Sequence, residues 1–178
     1  MVKLFDEWPD LGSVNIELRK LSSCDSEALG AMTRDDRVYK YLPTFLAERQ
    51  FEDAKDAVNY INGRLFDDRE SLILGIFEDG KFAGLAEFYG YKEQIAKTCV
   101  GYRLAYDHWG RGIASTAVGL MVDYLYGRTN IEIITASTMV ENIGSAKVLT
   151  KNGFEVTARS VPEDWGYDEP TIADKWFR

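Results

Sequence analysis

The stretch Asp107-His108-Trp109-Gly110-Arg111-Gly112-Ile113-Ala114-Ser115-Thr116 holds the residues whose spacing most directly implies chemistry. Gly110 and Gly112 stand two residues apart, after an apolar extended segment and before an amphipathic helical pattern. Glycines so placed remove the Cβ atoms that keep main-chain amides away from a bulky anion. The helix that starts there leaves its first amides unpaired and pointing the same way. The turn therefore reads as an anion cradle suited to phosphate. Spacing excludes two familiar phosphate loops. No Gly-Lys-Ser or Gly-Lys-Thr follows, and a dinucleotide loop would need a third glycine where the chain has Ser115. Close helix–strand packing also explains two glycines before a helix, so the turn alone leaves both readings open.

Periodicity supplies the elements that must hold this turn. Val14, Ile16 and Leu18 alternate with polar neighbours, as in a half-buried strand. Ser22-Ser23-Cys24-Asp25 offers capping side chains for a helix reaching about Thr33. After a broken stretch ending at Pro43, Phe51, Ala54, Val58 and Ile61 mark a second helical face through about Arg64. Leu72 to Glu78 and Phe82 to Tyr89 flank the hairpin signal Asp79-Gly80. Tyr91 to Lys97 reads as a looser connection, and Thr98 to Ala105 as the strand that feeds the glycine turn. Ile113, Ala117, Leu120, Met121, Tyr124 and Leu125 then form one helical stripe ending near Gly127. Ile131 to Ser137 is apolar and β-branched, as in a strand buried on both faces. Asn142 opens a further helix that Asn152-Gly153 closes, and Phe154 to Val161 and Thr171 to Phe177 read as closing strands. Between those two strands, Trp165-Gly166-Tyr167 and Pro170 make an aromatic loop read as packing at a surface edge. The order β-α-α-β-β-β-α-β-α-β-β predicts an α/β or α+β domain spanning residues 1–178, one sheet with helices on both faces.

Composition narrows the function classes. The 178 residues suffice for one domain with a real core, and no apolar run or leader pattern suggests a membrane or export, so the expected setting is cytoplasmic. Cys24, Cys99 and the single His108 lack metal-ligand spacing, so no metal is expected. A formal charge of −8 argues against a nucleic-acid partner and favours a cationic one such as an amine.

Trp109-Gly110-Arg111-Gly112-Ile113-Ala114 resembles the acyl-CoA pyrophosphate loop of the GNAT family of N-acetyltransferases, (Gln/Arg)-x-x-Gly-x-(Gly/Ala). Trp109 departs at the first position, but Trp-Gly-Arg/Lys-Gly is similar to the variant of the RimJ/RimL branch, which acetylates ribosomal-protein N-termini. Asn142-Ile143-Gly144-Ser145, followed by a helix closing at Gly153-Phe154, resembles the family's second signature at the family's distance from the first. The resemblance covers roughly residues 82–154. It implies a mixed, strongly twisted sheet splayed where acetyl-CoA enters, with no metal. By the same resemblance the amides from Gly110 through Arg111, Gly112, Ile113 and Ala114 to Ser115 hold the pyrophosphate, helped by the Ser115 hydroxyl. Asn142 bonds the pantetheine arm or serves as a helix cap, and both roles are compatible. The Leu104 backbone pairs with the pantetheine amide, Trp109 packs under the loop, and Arg111 either pairs with a CoA phosphate or stays exposed.

The reaction implied is direct attack of an amine on acetyl-CoA in a ternary complex, with CoA thiolate leaving. An α-amine titrates near pH 8 and a lysine amine near about 10.4, so an N-terminus needs the least help in losing its proton. Glu87 is the candidate base, because Leu85 and Phe88 suggest partial burial; its bland alternative is a solvated strand glutamate. RimJ/RimL relatives carry a glutamate where this chain has Cys99, and the broad family often has a tyrosine where this chain has Leu149. Ser145 then becomes the candidate proton donor to sulfur. The acceptor class is an amine: a protein N-terminus, a polyamine or a small amine. Its specificity is expected within Val38 to Arg64 and Glu163 to Pro170. The two departures leave a non-catalytic acyl-CoA-binding module as the alternative. Dimers are common in the family, and aromatic residues near the C-terminus would permit a homodimer.

Overall fold

Asp79 and Gly80 fold two of the most apolar segments of the chain onto one another, and the sheet grows outward from that hairpin. In the computed structural model, which describes Met1–Arg178, β3 (Ser71–Glu78) and β4 (Lys81–Lys92) pair antiparallel from Ser71↔Tyr89 to Glu78↔Lys81. Both turn residues take positive φ, 49° and 75°, the geometry that matches the twist of the flanking strands. β1 (Leu11–Gly12) and β2 (Ile16–Arg19) extend the sheet on one side. On the other lie β5 (Lys97–Leu104), β6 (Ile133–Met139), β7 (Glu155–Glu163) and β8 (Thr171–Phe177), in the spatial order β1-β2-β3-β4-β5-β6-β8-β7. β5 and β6 are the one parallel pair, which requires a crossover, here through α4 (Ile113–Arg128).

Helices cover both faces, as alternation in the strands demands. Leu72, Leu74, Ala86, Phe88 and Val100 pack against Ala117, Met121, Tyr124 and Leu125 of α4 and Leu149 of α5 (Ile143–Lys151). On the opposite face, Ile73, Phe77 and Leu85 meet Leu29 and Met32 of α1 (Ser26–Thr33), Val38 and Tyr39 of α2 (Asp36–Tyr39), and Val58 of α3 (Ala54–Tyr60). The mixed sheet and two-sided cover agree with the expected class.

Local readings depart in four places. Val14 is fully exposed in the turn before β2, because two residues of β1 already close the hairpin. β6 starts at Ile133 and buries alternate residues, so one of its faces is only partly covered. β4 runs on to Lys92 rather than stopping near Tyr89. A π turn over Ile61–Leu65 extends α3.

The feature that matters for function is where the ladder stops. β5 and β6 pair only from Lys97↔Ile133 to Cys99↔Thr135, although β5 continues to Leu104 and β6 to Met139. Beyond Cys99 the strands diverge and β6 stays with β8. The β5 edge left behind can be read from its other neighbour. The Ala105 amide donates to the Ala83 carbonyl at 2.8 Å. Gly84↔Leu104 and Ala86↔Tyr102 are in the same antiparallel register. By alternation, the main-chain groups of Leu104 and Tyr102 point away from β4 and into the gap. Gly84 permits this close pairing, since a Cβ there would collide with the Arg103 carbonyl and lie 2.8 Å from the Leu104 Cα.

Candidate active site

The turn between β5 and α4 is built from main chain. Gly110 and Gly112 take φ of 72° and 81°, with nothing within 4 Å of the position a Cβ would occupy, so their outer face is open. The first hydrogen bond of α4 is from the Thr116 amide to the Gly112 carbonyl at 3.1 Å. The amides of Gly110, Arg111, Gly112, Ile113, Ala114 and Ser115 make no hydrogen bond to the protein. Six successive unpaired donors at a helix N-terminus form a site for a diphosphate. All of these residues but Arg111 line a cavity of about 580 Å³ that extends past Tyr102 and Leu104 to Asn142 and Ser145. Arg111 is half-exposed and bonded to Glu78 at 2.8 Å. The same carboxylate faces His108 Nδ1 at 3.1 Å, tying the turn to the end of β3.

Trp109 is placed differently from the expectation that it packs beneath the loop. It is 43% exposed, and its indole donates to the Leu104 carbonyl at 2.9 Å. That bond caps the acceptor of the open strand edge. It leaves the Leu104 amide and the Tyr102 main-chain groups to meet a ligand with amides of its own.

At the far end of the gap, α5 contributes Asn142 and Ser145. The Asn142 Oδ1 accepts from the Ser145 amide at 3.1 Å, a helix N-cap. Its Nδ2 donors make no bond to the protein. Ser145 lies beside the buried hydroxyl of Tyr102, which no group meets in hydrogen-bond geometry. Burial pushes the Tyr102 phenol up to about 12, with Ser145 opposing the shift, so the phenol keeps its proton. Sequence reasoning passed over Tyr102; its sole signal was a polar-tipped aromatic on the inward side of a strand.

A second cavity, of about 480 Å³, opens on the other face of the gap and shares Tyr41, Leu42, Tyr102, Arg103, Asn142 and Ser145 with the first. Glu87 lines it, but not in the apolar setting expected of it. Phe88 points to the opposite sheet face. Glu87 accepts from the Ser71 hydroxyl at 2.7 Å and from Arg103 at 2.7 Å. Arg103 is buried and forks onto Glu48 at 2.5 and 2.6 Å, while Tyr39 donates to the same Glu48 at 3.0 Å. Sequence reading missed Arg103 and Glu48. A charged residue at an inward position of an apolar strand was the available signal. Residues 41–43, 45–47 and 50, with Glu163, Asp164 and Trp165, complete the wall, and Glu48 lies behind it. Trp165 is 8% exposed, so it faces the cavity and not the outer edge expected from its loop. The Cys99 Sγ lies 3.1 Å from the Thr135 hydroxyl at the last rung of the β5/β6 pairing.

A glycine-bounded diphosphate cradle, a splayed parallel pair and a second cavity across the gap form the frame of an acyl-CoA enzyme. The Acetyltransferase (GNAT) domain profile matches residues 15–155. The chain belongs to the GNAT acetyltransferase family. It is 30% identical over 145 residues to the probable N-acetyltransferase YjcK of Bacillus subtilis, covering 78% of this chain and 80% of that one. The uncharacterised N-acetyltransferase p20 of Bacillus licheniformis is 29% identical over 143 residues, 79% of each chain. Among solved structures, a RimL ribosomal L7/L12 α-N-protein acetyltransferase in complex with coenzyme A superposes with a TM-score of 0.82 at 17% identity, covering 96% of this chain and 97% of that one. The spermidine N-acetyltransferase of Vibrio cholerae, in complex with CoA and spermine, gives 0.76 at 18% identity over 93% and 96% of the two chains. This GNAT chain is thus an N-acetyltransferase that takes acetyl-CoA as donor and an amine as acceptor, which decides against a non-catalytic module. No helix is long and apolar enough to cross a membrane.

Proposed function

We propose that this enzyme acetylates a protein N-terminus or a polyamine in the manner of the RimJ/RimL branch. In this reading the pyrophosphate of acetyl-CoA rests on the amides of Gly110 to Ser115. The pantetheine arm runs along the Leu104 and Tyr102 edge beneath Asn142 Nδ2, and the thioester arrives at the gap between the two cavities. The amine reaches it from the Glu87 side. Its nitrogen attacks the thioester carbon and the C–S bond breaks. The nitrogen's proton passes to Glu87, directly or through one water, while Ser145, backed by the Tyr102 hydroxyl, donates a hydrogen bond to the departing thiolate.

The observation that carries this reading is the run of six unpaired amides leading onto an open strand edge. A cationic acceptor suits the second cavity, whose wall holds Glu70, Glu87, Glu163 and Asp164; Glu87 is paired with Arg103 and Glu163 with Lys175, which leaves Glu70 and Asp164 without a cation. Arg103 is the one basic side chain there, and it is bonded to two carboxylates. The fold neighbours named for an α-N-protein acceptor and for spermidine support both candidate classes.

Thiol release from acetyl-CoA is the test, with spermidine, glycinamide and a serine-initiated tetrapeptide as acceptors. At least one should raise release well above the acceptor-free rate. A flat response to all three, with coenzyme A still bound in a calorimeter, would refute the acceptor assignment.

A further inference from the structure

Arg103 has no role in the chemistry described so far, yet its guanidinium donates three hydrogen bonds to two carboxylates. Its side chain is 3% exposed. Burial works against its charge, and the Glu48 and Glu87 carboxylates more than offset that, holding it protonated above the ordinary arginine range. Stability does not explain such an arrangement. Desolvating the ions costs several kcal/mol each, and apolar residues of similar volume serve a core equally well. What the fork supplies is geometry: Nε and Nη2 engage Glu48, and Nη1 engages Glu87.

The two carboxylates differ in one respect. Glu48 is closed off at 0% side-chain exposure, whereas Glu87 retains 12% toward the cavity. Ser71 holds one Glu87 oxygen and Arg103 the other, so the group is fixed in orientation with lone pairs left over. Glu48 belongs to the short turn Ala47–Arg49, in the segment that walls the acceptor cavity. Arg103 also immediately precedes Leu104, whose main chain forms the donor's edge. One strand end thereby sets both the line of the pantetheine and the place of the carboxylate that meets the amine.

We propose that Arg103 is the positioning residue of the acceptor side, orienting the Glu87 carboxylate at the gap and tying it to the Glu48-bearing wall of the amine's site. The proposal rests on Glu87 serving as the base. It makes the base dependent on the seating of residues 47–49, so that proton transfer and acceptor binding share one clamp.

The test compares Arg103→Met/Glu48→Met, which removes the clamp and leaves Glu87, open to the cavity and still bonded to Ser71, as the one carboxylate without its cation, with Arg103→Lys, which keeps the charge but not the fork. Kinetics use whichever of spermidine, glycinamide or the tetrapeptide the native enzyme turns over. The double variant should lose on the order of a hundredfold in kcat, and the acidic limb of its kcat profile should move to higher pH, because the cation that favours a charged carboxylate is gone. Coenzyme A affinity should stay within about threefold. Arg103→Lys should show the same changes at smaller size, and it supplies the answer if the double variant does not fold. A native kcat and pH profile in either folded variant overturns the proposal, as does a lower melting temperature with the limb unmoved. Glu87→Gln separates the two layers. If it keeps full activity, the base assignment fails and the clamp with it. If it is crippled while the clamp variants are native, the base stands and the clamp falls.

Discussion

The two cavities that meet at Tyr102, Asn142 and Ser145 are made of different material. On the donor side the recognition groups are amides, six of them in one unbroken stretch between Gly110 and Ser115. On the acceptor side they are side chains from β3, β4, β5, the 47–49 turn and the β7–β8 connection. A main-chain site needs little more than the right backbone path, so glycines and a helix start suffice to specify it. A side-chain site exists only once distant segments are brought together. A change of acceptor would therefore require changes only on the side built from side chains, with the main-chain side left as it is.

The contrast can be broken most severely at Gly112. Gly112→Glu places a carboxylate in the open space where the diphosphate would lie. Coenzyme A affinity should fall by more than about a hundredfold, since like charges at a desolvated site repel strongly. The left-handed φ of 81° adds strain of about 1 kcal/mol, and the fold should survive it. Calorimetry and circular dichroism would check both halves.

The converse change lies across the gap. Glu87→Gln should cost on the order of a hundredfold in kcat while leaving coenzyme A affinity alone, because Gln still accepts from Ser71 or Arg103 but cannot take up a proton. Loss of coenzyme A binding in that variant would mean that the two sides are not separable.

Smaller changes sharpen the boundary. Trp109→Phe frees the Leu104 carbonyl from its indole donor; one hydrogen bond of about 1 kcal/mol is lost and coenzyme A affinity should drop several-fold. Asn142 carries a cap and an uncommitted donor on one side chain. Asn142→Ala should lower stability by about 1 kcal/mol in urea melts, whereas Asn142→Asp should keep the cap and weaken only coenzyme A binding. Equal stability of the two variants would remove the capping role.

How much was legible follows the same divide. The strands, the hairpin at Asp79-Gly80 and the α4 helix are readable because each rests on local period or turn chemistry; that α4 is a crossover between parallel strands is not. The glycine cradle was readable because its two glycines and helix start are contiguous. Glu48 was not, since nothing near Ala47–Arg49 in the chain indicates that Arg103, 55 residues away, will reach it. Glu87 was picked out, but its surroundings were misjudged. Its sequence neighbour Phe88 faces the other way, and the groups that do face it come from β3 and β5. Trp165 has two readings in the sequence, packing at a surface edge and a place in the acceptor segment Glu163 to Pro170, and its loop alone does not decide between them; the structure puts it in the cavity wall.

An unzipped seam inside a sheet is also a hazard. The Tyr102 and Leu104 backbone, without a neighbour beyond Cys99, is a template on which a stray extended peptide could add itself. The Trp109 indole removes one such foothold by occupying the Leu104 carbonyl. In the proposed binding mode the nucleotide thioester would take up the rest. Preparations stored with coenzyme A should therefore resist clumping longer than those stored bare, so that the donor acts as a temporary ninth strand and guards the enzyme between turnovers.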